Sequence, residues 1–160
     1  LVGSEMCIRD SCTGEQMAGA MAMGASGAWC ASVFLTTSEA ETSEVVKEKM
    51  LHASSDQTVR SRSRTGKHSR QLKSDWTDAW ESPDAPDPLP MPLQTMVSEP
   101  ALAKIDKASD VGHEGAKKLA TYWVGQGIGL VNENLTAGQT VQKFKEEFID
   151  AYERLNSFME

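Results

Sequence analysis

From Thr13 onward, apolar residues recur at helical spacing. In "GEQMAGAMAMG", Met17, Ala20, Met21 and Gly24 fall at i, i+3, i+4 and i+7, and Gly24 is a natural C-terminal stop. Methionines at this spacing point to core packing rather than to a metal box. The period then changes. "GAWCASVFL" (27–35) is a short run with apolar residues on both faces. It predicts a strand buried on both sides, as in a parallel sheet under helices. Helix, tight turn and buried strand make one αβ step of an α/β protein.

A second helix is predicted from about Thr42 to Ala53, capped by Thr42 or Ser43, with Glu44 near its positive end. The basic run "TVRSRSRTGKHSRQLK" (58–73) opens as a short strand. The acidic run "SDWTDAWESPDAPDP" (74–88) puts Trp76 and Trp80 four apart on one helical face. Pro83, Pro86, Pro88, Pro90 and Pro92 then force an extended connector. "LQTMVSEPALAKIDKA" reads as helix, interrupted or restarted at Pro100, which suits a first-turn position. "AKKLATYWVGQGIGLV" (116–131) mixes a helical pattern with Gly125, Gly127 and Gly129. Thr136 and Gln139 form a capping box that opens the last helix. On that helix Val141, Phe144, Phe148, Tyr152 and Leu155 make one apolar stripe opposite a charged face. No internal repeat is evident.

Composition narrows the class without choosing a function. The chain has 160 residues, a formal charge of −7, 39% hydrophobic and 24% charged residues. Those values suit one globular domain or part of a larger one. The acidic balance speaks against nucleic acid or a membrane surface as partner. No apolar run reaches the ~20 residues of a spanning helix. No basic region followed by an apolar stretch marks a secretory signal. Cys7, Cys12 and Cys30 cannot all pair and show no CxxC spacing, which suits free thiols in a reducing compartment, with the cytoplasm as the default expectation. The first eleven residues, "LVGSEMCIRDS", resemble a peptide translated from sequencing-adapter DNA. They are set aside from fold reasoning, as a fusion scar would be.

No self-contained catalytic set is present: the sequence lacks HExxH, a Walker A loop, GxSxG and zinc-ligand spacing. His52, His68 and His113 are scattered and read as solvated side chains. Arg60, Arg62, Arg64, Lys67, Arg70 and Lys73 could grip phosphates. Without interleaved aromatics, and with Asp75, Asp78, Glu81, Asp84 and Asp87 following, mutual neutralisation is the expected outcome. In "WVGQGIGLV" the glycines let backbone approach a ligand or another segment closely, and Gln126 offers one acceptor and two donors. A tightly packed helix entrance would need the same glycines. At the end of the predicted strand, Ala31 and Ser32 are small residues where a phosphate would need close approach. A buried strand with no ligand is the plain alternative.

"GEQMAGAMAMGASGAWCASVFLTTSEAET", with "DQTVRSRSRTG" (56–66), "PLPMPLQ" (88–94) and "WVGQGIGL" (123–130), resembles the nitronate monooxygenases, formerly 2-nitropropane dioxygenases. The likeness runs in order through nearly all of residues 13–155. It implies the C-terminal part of an FMN-containing TIM (β/α)8 barrel. Residues 12–37 would be its last αβ unit and 38–160 a mainly helical region of the substrate domain. It also implies oxidation of a small-molecule nitronate by O2 to a carbonyl compound and nitrite. Ala31 and Ser32 match the family's Gly-Thr phosphate pair, with alanine departing from the usual glycine. Gly125 and Gln126 match its glycine–glutamine segment near the flavin. The Gly-Gly-Ile phosphate loop is absent, its place taken by the adapter-like peptide, and the catalytic histidine is expected upstream. A whole barrel needs about 250 residues, with about 200 as a floor. The expectation is therefore a fragment, inactive alone. Two other readings stay open: a flavin-dependent enoyl-acyl-carrier-protein or quinone reductase of the same superfamily, and a non-enzymatic helical module binding through Trp76, Trp80 and the basic run.

Overall fold

The computed structural model describes residues 11–159, so the adapter-like peptide, apart from Ser11, lies outside the described residues. Helix α1 (Gly14–Ala22) begins where the Thr13 hydroxyl accepts a hydrogen bond from the Gln16 N–H at 3.2 Å. It stops where Gly24 takes φ 98°, a conformation that L side chains rarely adopt. Its neighbour is the last helix, α7 (Ala137–Ser157), opened by the predicted capping box. The Gln139 N–H donates to Thr136 Oγ1 (3.1 Å), and the Thr136 N–H donates to Gln139 Oε1 (2.9 Å). The two helices meet at backbone distance. A Cβ placed on Gly14 would lie 2.1 Å from the Phe144 carbonyl oxygen and 2.8 Å from the Phe148 nitrogen. The Gly14 N–H in turn donates to the Glu147 carboxylate at 2.7 Å.

The apolar stripe of α7 is turned relative to the expectation. Thr140, Phe144 and Ala151 are buried and Phe148 is half-buried, whereas Val141, Tyr152 and Leu155 stand 45%, 59% and 49% exposed. The reason is geometric: α1 is short and presents small residues, so it covers only a narrow strip of the longer helix. The methionine face of α1 shifts in the same way. Gly14, Ala18 and Ala20 are buried, Met17 is half-buried, and Met21 is 40% exposed.

The predicted strand at 27–35 is not formed. Residues 27–31 carry no strand ladder, and the chain turns at Ser32 into a one-turn helix, α2 (Ser32–Leu35). A strand needs a lateral partner to take its N–H and C=O groups, and periodicity within the strand cannot supply one. The described residues hold a single two-stranded sheet, made of other segments. Burial on both faces also fails: Trp29 is 60% exposed. The hydroxyls that end the run turn back locally, Thr36 onto Val33 O (3.1 Å) and Thr37 onto Phe34 O (2.9 Å).

The rest follows the sequence pattern with two adjustments. Helix α3 (Glu44–His52) is capped by Ser43, which accepts from the Val46 N–H. A 3-10 turn at Ser55–Gln57 leads into β1 (Thr58–Ser61), which pairs antiparallel with β2 (Ser69–Leu72). Helix α4 (Asp75–Trp80) brings Trp76 and Trp80 into a tilted ring contact with centroids 6.0 Å apart. Helix α5 (Leu93–Asp110) is continuous, so Pro100 lies inside it rather than at a start. That proline is exposed, and buried anchors hold the helix on either side: Ser98 Oγ donates to Arg64 O (2.6 Å) and Leu102 is 2% exposed. Helix α6 (Glu114–Leu119) ends in an extended segment, followed by a 3-10 turn at Gln126–Leu130, where the glycine-rich stretch had suggested more helix. The core forms where these meet: Val46 and Met50 of α3, Leu72 of β2, and Ala120, Val124, Ile128 and Val131. The described part is thus α/β and helix-rich.

Two glycines of α1 should respond oppositely to alanine. At Gly14 the new Cβ strikes α7 backbone, so Gly14→Ala should destabilise by about 1–3 kcal/mol. At Gly19 nothing lies within 4 Å, so Gly19→Ala should stabilise by about 0.5–1 kcal/mol through helix propensity. Denaturant melts of both variants check this; equal shifts would refute the close α1–α7 approach.

Candidate functional site

Residues 121–124 lie along the free edge of β2. The Leu72 N–H donates to Tyr122 O (3.0 Å), the Val124 N–H donates to Arg70 O (3.2 Å), and Gln71 bridges Trp123 antiparallel. Alternation along β2 sends neighbouring side chains to opposite faces. Gln71 is fully buried, with its amide nitrogen 3.4 Å from Ser61 O and its amide oxygen taking the Ser63 hydroxyl at 3.3 Å. Arg70 faces the other way and lines a cleft.

That cleft has a volume of about 440 Å³ and is bounded by Trp29, Ala31, Ser32, Arg70, Trp123, Val124 and Gly125. Its two halves are far apart in sequence and joined by one hydrogen bond: the Gly125 N–H donates to Ser32 Oγ at 2.8 Å. Ser32 is 8% exposed, and its own hydroxyl proton takes no acceptor among the described residues. No backbone acceptor there takes the N–H of Ala31, Ser32 or Val33 either. Ala31 is exposed and Gly125 half-buried, so small residues line the opening. Burial pushes the Cys30 thiol up from its ordinary range, which keeps it protonated at neutral pH and unsuited to thiolate chemistry.

Trp123, which pairs with Gln71, is held in place by a buried cation. The Arg64 guanidinium sits 3.8 Å from the Trp123 ring centroid and 5.1 Å from that of Tyr122. It is 4% exposed and donates through Nε (2.8 Å) and Nη2 (3.4 Å) to the Glu99 carboxylate. An ion pair with stacking of this kind fixes an aromatic plane better than packing alone.

Three of the four residues singled out from sequence, Ala31, Ser32 and Gly125, therefore share one cleft. Gln126 does not line it; it opens the 3-10 turn with its side chain exposed. The glycine run serves packing as well: a Cβ on Gly129 would lie 2.8 Å from Ser55 Oγ. Sequence reasoning missed Trp29, Trp123 and Arg70. The arginine was hidden by the expectation that neighbouring charge runs neutralise one another. Between those runs only Lys73 and Asp78 approach, at 3.9 Å, while Arg64 pairs with Glu99 instead. Arg60 and Arg70 form no ion pair among the described residues.

A second cleft of about 480 Å³ lies between α3, β2 and α4. It mixes Lys49, Lys73 and Lys118 with Asp75 and Asp78, so it offers no field of one sign and takes in none of the four residues. His52 lines that cleft, His68 is exposed, and His113 Nδ1 accepts from the Ala116 N–H at 3.2 Å as a helix cap. Among the described residues no cluster of three His, Cys, Asp or Glu could hold a metal ion. No described helix is long and apolar enough to cross a membrane.

The Ser32–Gly125 bond yields a direct expectation. Ser32→Ala should lower stability by about 1 kcal/mol, within the usual range for one hydrogen bond, and should speed hydrogen exchange at the Gly125 amide. Unchanged protection of that amide would show that the two halves of the cleft are joined in another way.

Comparison with known proteins places this geometry. The sequence pattern of the nitronate monooxygenase family matches residues 11–147. A Mycobacterium tuberculosis (strain ATCC 25618 / H37Rv) protein named "Putative monooxygenase Rv1533" is 50% identical over 148 residues, which are 92% of this chain and 39% of that protein. Among solved structures, the nitroalkane oxidase of Streptomyces ansochromogenes superposes with a TM-score of 0.76 at 26% identity, over 92% of this chain and 40% of that one. FabK of Thermotoga maritima superposes with a TM-score of 0.70 at 24% identity, over 94% and 46%, a likeness of fold. The chain thus spans less than half the length of these relatives. On the match across residues 11–147 and the 50% identity, this chain belongs to the nitronate monooxygenase family.

Proposed function

We propose that the cleft receives the phosphate end of FMN and that the complete gene product is an FMN-dependent nitronate monooxygenase. The observation that carries this reading is the convergence of Ala31, Ser32 and Gly125 on one cleft, in a chain of that family. The residues fit a phosphate. The N–H groups of Ala31 and Ser32 have no competing acceptor among the described residues, and neither has the Ser32 hydroxyl proton. Because Ser32 Oγ already accepts from Gly125, its proton is left to serve another acceptor. Alanine in place of the family's glycine at position 31 adds a methyl group at an exposed position, where it meets no crowding. Trp29 adds an exposed apolar surface beside Ala31 and Ser32.

Bound FMN would supply the electron chemistry, with an alkyl nitronate and O2 as substrates and a carbonyl compound and nitrite as products. The residues of this cleft would bind and orient. None of the three histidines lines it, so a proton-accepting side chain for the reaction belongs, in this proposal, to a more N-terminal part of the family's (β/α)8 barrel. The fold shared with FabK keeps a reductase as the second reading, since a phosphate-holding cleft serves either reaction. The interaction-module reading loses ground, because Trp76 and Trp80 pack on each other and Arg64 is buried.

The complete gene product, loaded with FMN, should release nitrite from an alkyl nitronate with matching O2 uptake. The 160-residue chain alone should not exceed a flavin-only control. Absence of nitrite together with NAD(P)H-dependent bleaching of the flavin would select the reductase. Turnover by the 160 residues alone would contradict the placement of the base elsewhere.

A further inference from the structure

The β1–β2 hairpin carries an unusual pairing. Arg60 and Arg70 stand directly opposite each other in the antiparallel register, on the same face of the sheet. Like charges in that position destabilise a hairpin, and a carboxylate nearby is the common relief. Here there is none: among the described residues neither arginine forms an ion pair. The acidic helix α4 gives no such relief, since Asp75 and Asp78 line the other cleft.

Arg70 is also oriented. Its Nη1 donates to Thr58 Oγ1 at 2.8 Å, and its carbonyl oxygen accepts from the Val124 N–H at 3.2 Å, one residue before Gly125. The first bond uses one of the guanidinium's five donors, and the others take no partner among the described residues. This half-buried cation lines the same cleft as Ala31, Ser32 and Gly125. One wall of the cleft thus offers neutral N–H and O–H donors, and the other a pre-set cation with a second cation opposite it.

We propose that Arg70, seconded by Arg60, is an anion clamp for the phosphate monoester of the flavin. The inference rests on the flavin reading of the cleft and deepens it. A phosphate monoester carries about −1.5 to −2 charges at neutral pH, which two guanidinium groups match. The planar fork of Arg70 suits two oxygens of one phosphate. Arg60 is exposed and acts through the field rather than by contact. The bound dianion relieves the cross-strand repulsion, so flavin binding and hairpin stability are linked.

The test titrates FMN and riboflavin, which lacks the phosphate, against the complete gene product and its Arg70→Gln, Arg70→Lys and Arg60→Gln variants. Arg70→Gln should raise the Kd for FMN about tenfold to a hundredfold while leaving riboflavin unchanged. Arg60→Gln should raise the FMN value about two- to fivefold. Arg70→Lys, which keeps the charge but not the fork, should fall between parent and Arg70→Gln, and it carries the test if the glutamine variant fails to fold. Equal weakening of both flavins would reduce Arg70 to a structural residue and overturn the clamp. So would unchanged FMN affinity in Arg70→Gln when the parent prefers FMN to riboflavin. A parent that binds neither flavin would sink the flavin reading itself, and that failure shows before any variant is made.

Discussion

Main-chain pairing between β2 and residues 121–124 sets the geometry on which the cleft depends. Two backbone hydrogen bonds, which together form the Gln71–Trp123 bridge, hold residues 122–124 against β2 and bring Gly125 to the cleft beside Arg70. From there a single bond reaches Ser32, across 93 residues of sequence. Backbone pairing of this kind costs little to hold once formed, because each buried N–H or C=O would otherwise go unsatisfied. The hydrophobic core backs the same segment through Ala120, Val124, Ile128 and Val131, so packing and hydrogen bonding pin it together.

A polar interior supports the hairpin from beneath. Gln71 and Gln94 are both buried; Gln94 Nε2 donates to Ser63 O at 2.7 Å and Oε1 accepts from the Leu89 N–H at 3.0 Å. Satisfied buried amides specify one arrangement, since a shift of register would strand several groups at once. The Arg64–Glu99 pair extends this network to the Trp123 ring. The rigidity of the cleft wall therefore originates some distance from any ligand.

Features encoded locally were legible in the sequence, and those that depend on distant partners were not. Ser43 and Thr136 cap helices through neighbours three residues away, and Gly24 ends one through its own φ, so each could be read directly. The run at 27–35 has strand composition, but a strand exists only with a lateral partner, and none is present among the described residues. Pro100 signals a break locally, yet anchors on either side carry the helix through it. Arg70 was hidden for a related reason. Its acidic neighbours in sequence are not its neighbours in space, and the alternation of β2 turns it to the opposite face from Gln71. Ala31 and Ser32 were singled out as small or hydroxyl-bearing residues at the end of a predicted strand, and Gly125 and Gln126 through the glycine-rich stretch; Ala31, Ser32 and Gly125 line one cleft, and Gln126 does not.

The central claim is that the strip from Ala31 to Ser32 and the hairpin edge at Arg70 together hold a flavin phosphate. A crystal structure of the FMN-loaded complete gene product tests it most directly. The account predicts phosphate oxygens within hydrogen-bonding distance of the Ala31 and Ser32 N–H groups, the Ser32 hydroxyl and the Arg70 guanidinium. A flavin phosphate seated elsewhere, with this cleft filled by other parts of the protein, would contradict it.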